Sequence, residues 1–122
     1  MTQTAPGPAF PESADRVMLS RLVTLVCDAA LEKKAEDLRT LHVAQRTILA
    51  DCFIIATGRS NIQTRAIADQ ITESVRDSGL ASPRVEGYEE GTWILLDLGS
   101  ILVHIFTPEQ RAFYNLERLW GG

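Results

Sequence analysis

The sequence predicts an α/β fold: one mixed β-sheet of four to five strands with flanking helices. Three observations carry this. The unbroken apolar run Cys52-Phe53-Ile54-Ile55-Ala56-Thr57 reads as an interior strand covered on both faces. A glycine turn follows it at once, and then a segment with apolar residues at helical spacing. Finally, Trp93 to Phe106 reads as a long hairpin folded at Gly99-Ser100. At 122 residues the chain has room for one core and not for two.

The elements follow in order. Residues 1 to 12 hold three of the five prolines, Pro6, Pro8 and Pro11, among small and polar residues. They read as a disordered tail, leaving residues 13 to 122 as a single domain. A first helix is expected from about Ser13, with Asp15 at the positive end of its dipole. Met18, Leu22, Leu25, Val26 and Ala29 form its apolar stripe, and Lys33 and Lys34 suit its last turn. Leu38 to Val43 reads as a strand, with Leu41 and Val43 on one face.

After the apolar strand, Ser60 and Gln63 form an S-x-x-Q capping box. Ile67, Ile71 and Val75 mark the buried side of the helix it opens, and Gly79 is its natural stop. A short strand at Arg84-Val85-Glu86 and a turn from Gly87 to Gly91 lead into the hairpin. A two-residue turn at Gly99-Ser100 pairs residues whose numbers sum to 199. Leu98 and Ile101, Leu96 and Val103, and Ile94 and Ile105 then form a purely aliphatic face that must pack under helices. The opposite face pairs Asp97 with Leu102, Leu95 with His104 and Trp93 with Phe106. Pro108 opens a last helix whose apolar stripe is Phe113, Leu116, Leu119 and Trp120, with Glu117 and Arg118 facing out.

Composition narrows the function. A net charge of −4 argues against a general nucleic-acid binder, which needs excess lysine and arginine to neutralise phosphates. Cys27 and Cys52 lie in apolar runs without metal-ligand spacing, so they read as small buried hydrophobes in a reducing compartment. No apolar run is long enough to cross a membrane and no secretory signal opens the chain, so a cytoplasmic location is expected. No phosphate-binding glycine loop, zinc-protease motif or nucleophile elbow occurs. His42 and His104 lack an acid partner and a nucleophile in reach, so each reads as a packed or hydrogen-bonded side chain.

The Gly58-Arg59-Ser60 turn could bind an anion, and it resembles the Gly-Ser entry of nucleotidyltransferases. That chemistry needs two or three carboxylates to hold metal, and the hairpin offers only Asp97. No catalytic residue, cofactor or metal is therefore expected. Tyr88, Trp93, Tyr114 and Trp120 are either core residues or interface anchors. Glu86, Glu89, Glu90 and Asp97 would give such an interface an acidic rim suited to a basic partner.

Several segments carry a family resemblance. They are Lys34-Ala35-Glu36-Asp37, then Asp51 to Gly58 followed by Ser60, and Val85-Glu86-Gly87. Trp93 to Gly99, Val103-His104-Ile105-Phe106 and Phe113 to Trp120 complete the set. In this order and spacing, from about Leu22 to Trp120, the chain resembles the ribosomal silencing factors, the Iojap-related family. The resemblance implies binding to the large ribosomal subunit through its protein fourteen, at the face that meets the small subunit. The bound factor would block subunit joining and lower translation when nutrients are short. Organelle relatives act in large-subunit assembly. The resemblance also implies a nucleotidyltransferase-like but catalytically dead fold, and a homodimer when free. Carried over by position, the partner-binding residues are Trp93, Leu98 and Tyr114, with Asp97 close by. The sequence departs from the family at His42, where an acid is usual, and at Arg59, where a small hydroxyl residue is common.

Overall fold

The computed structural model describes the backbone of residues 9–121 and the side chains of 16–121. In chain order the elements are α1 (Ala9–Glu32), β1 (Glu36–His42), β2 (Cys52–Thr57), α2 (Asn61–Asp77), β3 (Arg84–Glu86), β4 (Trp93–Asp97), β5 (Ile101–Phe106), α3 (Pro108–Tyr114) and α4 (Leu116–Trp120). The strands form one five-stranded sheet in the order β1-β2-β5-β4-β3. Only β2 and β5 are parallel; every other neighbouring pair is antiparallel. The mixed sheet with flanking helices is the architecture expected.

β2 is buried along its whole length, as a strand flanked by β1 and β5 and covered on both faces must be. The hairpin register is the one expected: Trp93 faces Phe106, Leu95 faces His104 and Asp97 faces Leu102. Gly99 has φ +88°, as the first central position of this turn demands. The aliphatic face of the hairpin packs under α1 and α2 in the larger of two cores, with Ile54 and Ala56 of β2, Val26 of α1 and Ile71 of α2. The smaller core lies on the opposite face. It gathers Leu41, Phe53, Ile55, Phe106 and Leu116, with Trp93, Leu102 and Trp120 packed against it.

Ser60 caps α2, accepting from the Gln63 backbone N–H at 3.2 Å. The return half of the box is shifted by one residue, because the Gln63 side chain accepts from the Arg59 N–H at 2.7 Å rather than from Ser60. The same side chain donates to the carbonyls of Lys33 and Lys34, tying the start of α2 to the end of α1. Gly79, at φ +90°, closes α2 in a Schellman arrangement, with its N–H on Arg76 and that of Leu80 on Val75.

Two expectations are corrected. α1 begins at Ala9 rather than near Ser13, so residues 9–12 of the expected tail are helical. Pro11 falls in the first turn, where its missing N–H costs no helical hydrogen bond. Residues 1–8 lie outside those described. The last helix is also not continuous. Asn115 adopts the left-handed conformation, φ 47° and ψ 58°, and separates α3 from α4. The expected stripe is thereby split: Leu116 is buried and Trp120 packs on Phe53, while Phe113 and Leu119 are exposed. Glu117, expected to face out, turns inward to Arg111.

Candidate functional site

The second face of the sheet is covered only in part. α3 and α4 cross one end of it, and there Trp93 opens β4. The Gly87 backbone lies directly against the Trp93 carbonyl, so closely that a Cβ at that glycine would collide with it. Gly87 also has φ +77°. A glycine turn thus fixes where the Trp93 backbone enters the sheet.

The Trp93 ring lies 4.4 Å from the ring of Tyr114 and 5.0 Å from that of Phe106, centroid to centroid. Phe106 is fully buried, Trp93 is half-buried, and Tyr114 is 41% exposed. Phe113 stands edge-on to Tyr114 at 5.0 Å and is 78% exposed. Trp93 and Tyr114 therefore form an aromatic step from the core to the surface, with Phe113 beyond it. Such rings offer large contact area with few rotamers to freeze.

Beneath this step sits His104, with 6% of its surface exposed. Trp93 Nε1 donates to His104 Nδ1 at 3.2 Å. An indole N–H only donates, so Nδ1 is the acceptor and the proton of the neutral imidazole is on Nε2. That nitrogen is buried and has no partner. A buried unsatisfied donor costs about 1–3 kcal/mol. Burial also pushes the imidazole pKa from 6.5 down to about 4. The expectation of a packed, hydrogen-bonded histidine holds. His42, exposed at the end of β1, has its Nδ1 3.4 Å from the Cys52 Sγ.

The four expected partner-binding residues do not form one patch. Trp93 and Tyr114 are in contact. Asp97 is on the same face but four residues along the strand, about 13 Å away. Its carboxylate accepts from the Gly99 N–H at 2.8 Å and shapes the hairpin tip. Leu98 points to the other side, where it packs on the aliphatic core and lines a cavity with Met18, Leu22 and Leu80. Strand alternation alone imposes this, since 93, 95 and 97 share one face while 94, 96 and 98 share the other.

A further group escaped the sequence reading. Arg111, 8% exposed, donates to Thr57 Oγ1 at 2.8 Å and to Glu117 Oε2 from two nitrogens at 2.7 and 3.0 Å. It fastens α3 and α4 to the end of β2 and so sets where Tyr114 stands. No helical spacing signals this pair, because it is the bend at Asn115 that brings positions 111 and 117 together.

Several donors of the Gly58-Arg59-Ser60 turn are occupied, the Gly58 N–H by the Phe106 carbonyl at 2.9 Å. Arg59 pairs with Glu36 at 2.6 Å, and the Arg59 and Gln63 N–H groups are taken by the capping box. Among the described residues, no three His, Cys, Asp or Glu side chains cluster as metal ligands. Nor is any described helix long and apolar enough to cross a membrane.

Comparison with known proteins agrees with this architecture. The family model described as ribosomal silencing factor during starvation matches residues 17–122. A ribosomal silencing factor of Halalkalibacterium halodurans is 41% identical over 100 residues, covering 82% of this chain and 86% of that one. A crystal structure of a Chromobacterium violaceum protein has a TM-score of 0.82 at 34% identity, covering 84% of this chain and 86% of that one. A more distant mouse relative, named for mitochondrial assembly of the ribosomal large subunit, is 25% identical over 113 residues, covering 90% of this chain and 50% of that one. The matched residues include every strand and, apart from residues 9–16 of α1, every helix, and the chain belongs to the ribosomal silencing factor family.

Proposed function

We propose that this protein represses translation without catalysing a reaction. It docks on the large ribosomal subunit through that subunit's protein fourteen, and its bulk then keeps the small subunit from joining when nutrients are limiting. The observation that carries this reading is the aromatic step of Trp93 and Tyr114, packed on Phe106 from beneath and partly open to solvent. Asp97, at the hairpin tip, forms the far end of the proposed surface, and Leu98, which packs on the aliphatic side, is left out of it. The family's name, and that of the Halalkalibacterium relative, support a ribosome-silencing role. In this reading the protein is cytoplasmic and is a homodimer when free. The lone carboxylate Asp97 supports a fold without nucleotidyl-transfer chemistry, and calorimetric titration with nucleoside triphosphate and magnesium should be flat.

Sedimentation with isolated large subunits, small subunits and whole ribosomes tests the proposal. The protein should travel with large subunits alone. Trp93→Ala and Tyr114→Ala should each weaken that association by about 2–4 kcal/mol while remaining folded. Undiminished binding by both folded variants would remove this surface from the proposal. The name of the mouse relative favours a second reading, in which the same docking serves large-subunit assembly. Depletion that leaves immature large subunits, without a starvation phenotype, would select it.

A further inference from the structure

We propose that His104 is a positioning residue for docking: by accepting the Trp93 indole N–H, it holds that ring in the rotamer that meets the partner. The inference rests on the docking reading above and deepens it. A tryptophan at the start of a strand, with one side open to solvent, has several rotamers within reach. A directional bond to a fixed acceptor removes most of them. His104 is such an acceptor. Phe53 stands edge-on to the imidazole at 5.0 Å, and Phe106 stacks on it at 6.1 Å and 10°. The imidazole cannot swing away without displacing rings of the smaller core.

The choice of side chain points the same way. A leucine would fill this apolar site and leave no orphaned donor, whereas His104 leaves Nε2 buried and unpartnered. What the histidine adds is the Nδ1 acceptor, and that acceptor is spent on Trp93. A polar group that weakens the core and fixes a half-buried anchor behaves as part of a site. A ring already set before encounter need not be ordered during it.

The test compares His104→Leu with His104→Asn in the full chain. The Asn Oδ1 stands where Nδ1 stood and restores the acceptor. His104→Leu should weaken association with large subunits by roughly three- to tenfold, the cost of ordering one side chain. His104→Asn should bind close to the parent. In a Trp93→Phe background, which lacks the indole N–H, His104→Leu should have no further effect. By NMR, the Trp93 indole proton should exchange slowly in the parent and in His104→Asn, and fast in His104→Leu. Docking by His104→Leu as tight as the parent's would overturn the proposal. So would an equal loss in the Trp93→Phe background, or the same exchange rate in all three proteins. If Trp93→Ala itself docks normally, the docking reading fails too. If Trp93→Ala fails to dock while His104→Leu is unaffected, only the positioning role fails.

Discussion

A histidine sealed among Phe53, Phe106 and Trp93 makes the fold sensitive to acid. Its pKa falls from 6.5 to about 4 on burial, so between these values the unfolded chain binds a proton that the folded chain refuses. The neutral ring is therefore compatible with full stability above about pH 6.5, and stability is lost as pH falls toward 4, by about 1.4 kcal/mol per pH unit. Urea unfolding of the parent and of His104→Leu at several pH values should show this slope in the parent and a flatter one in the variant; the difference isolates the histidine from the carboxylates. Arg111 has the opposite character, a buried charge fully matched by Thr57 and Glu117. Arg111→Ala should cost about 3 kcal/mol, read by chemical denaturation, because it strands a partly buried carboxylate. Of these two residues the sequence made only one legible. The pairing rule put His104 on the face of Trp93, although the hydrogen bond itself depends on rotamers. Arg111 and Glu117 meet only through a backbone bend that no residue pattern announces.

Among the elements, the hairpin was the most legible, because a two-residue turn fixes every pair and alternation then assigns every face. The same alternation separates Leu98 from Trp93, which positional likeness to a family could not do. The last helix was the least legible. Neither glycine nor proline marks its break, and Asn115 is a residue that tolerates the left-handed region without requiring it. The start of α1 was obscured for a related reason, since a proline in a first turn looks locally like a breaker. The turn before β4 has its own vulnerability. Gly87→Ala would place a Cβ against the Trp93 carbonyl, at a φ that already costs an alanine about 1–2 kcal/mol. It should lower the melting temperature and shift the Trp93 indole resonance, whereas Gly79→Ala, also at positive φ but with open space around it, should lower stability without moving that resonance.

As a whole, the molecule is a sheet finished on one side and half-finished on the other. The helices α1 and α2 close the aliphatic face, while the aromatic face keeps its edge open around Trp93 and Tyr114. The net charge of −4 favours encounter with a basic partner. Association with an isolated basic partner protein should therefore slow as salt is raised, with a smaller effect on dissociation, and stopped-flow measurements at low and high salt would show it. The fold class and the two faces were legible because they follow from apolar spacing. Which face remains open was not, since that depends on how far two short helices reach across the sheet.

The parallel pairing of β2 with β5 has a consequence during synthesis. Cys52 to Thr57 leave the ribosome well before their partners Ile101 to Phe106 exist. Until β5 arrives, the one strand buried along its whole length among those described lacks its interior neighbour, and an unpaired apolar edge is prone to aggregate. The hairpin of β4 and β5 can form locally as soon as it is made, and it carries Trp93 and His104 already in register. The proposed docking face would then be assembled last, when the nearly complete chain closes β5 against a waiting β2.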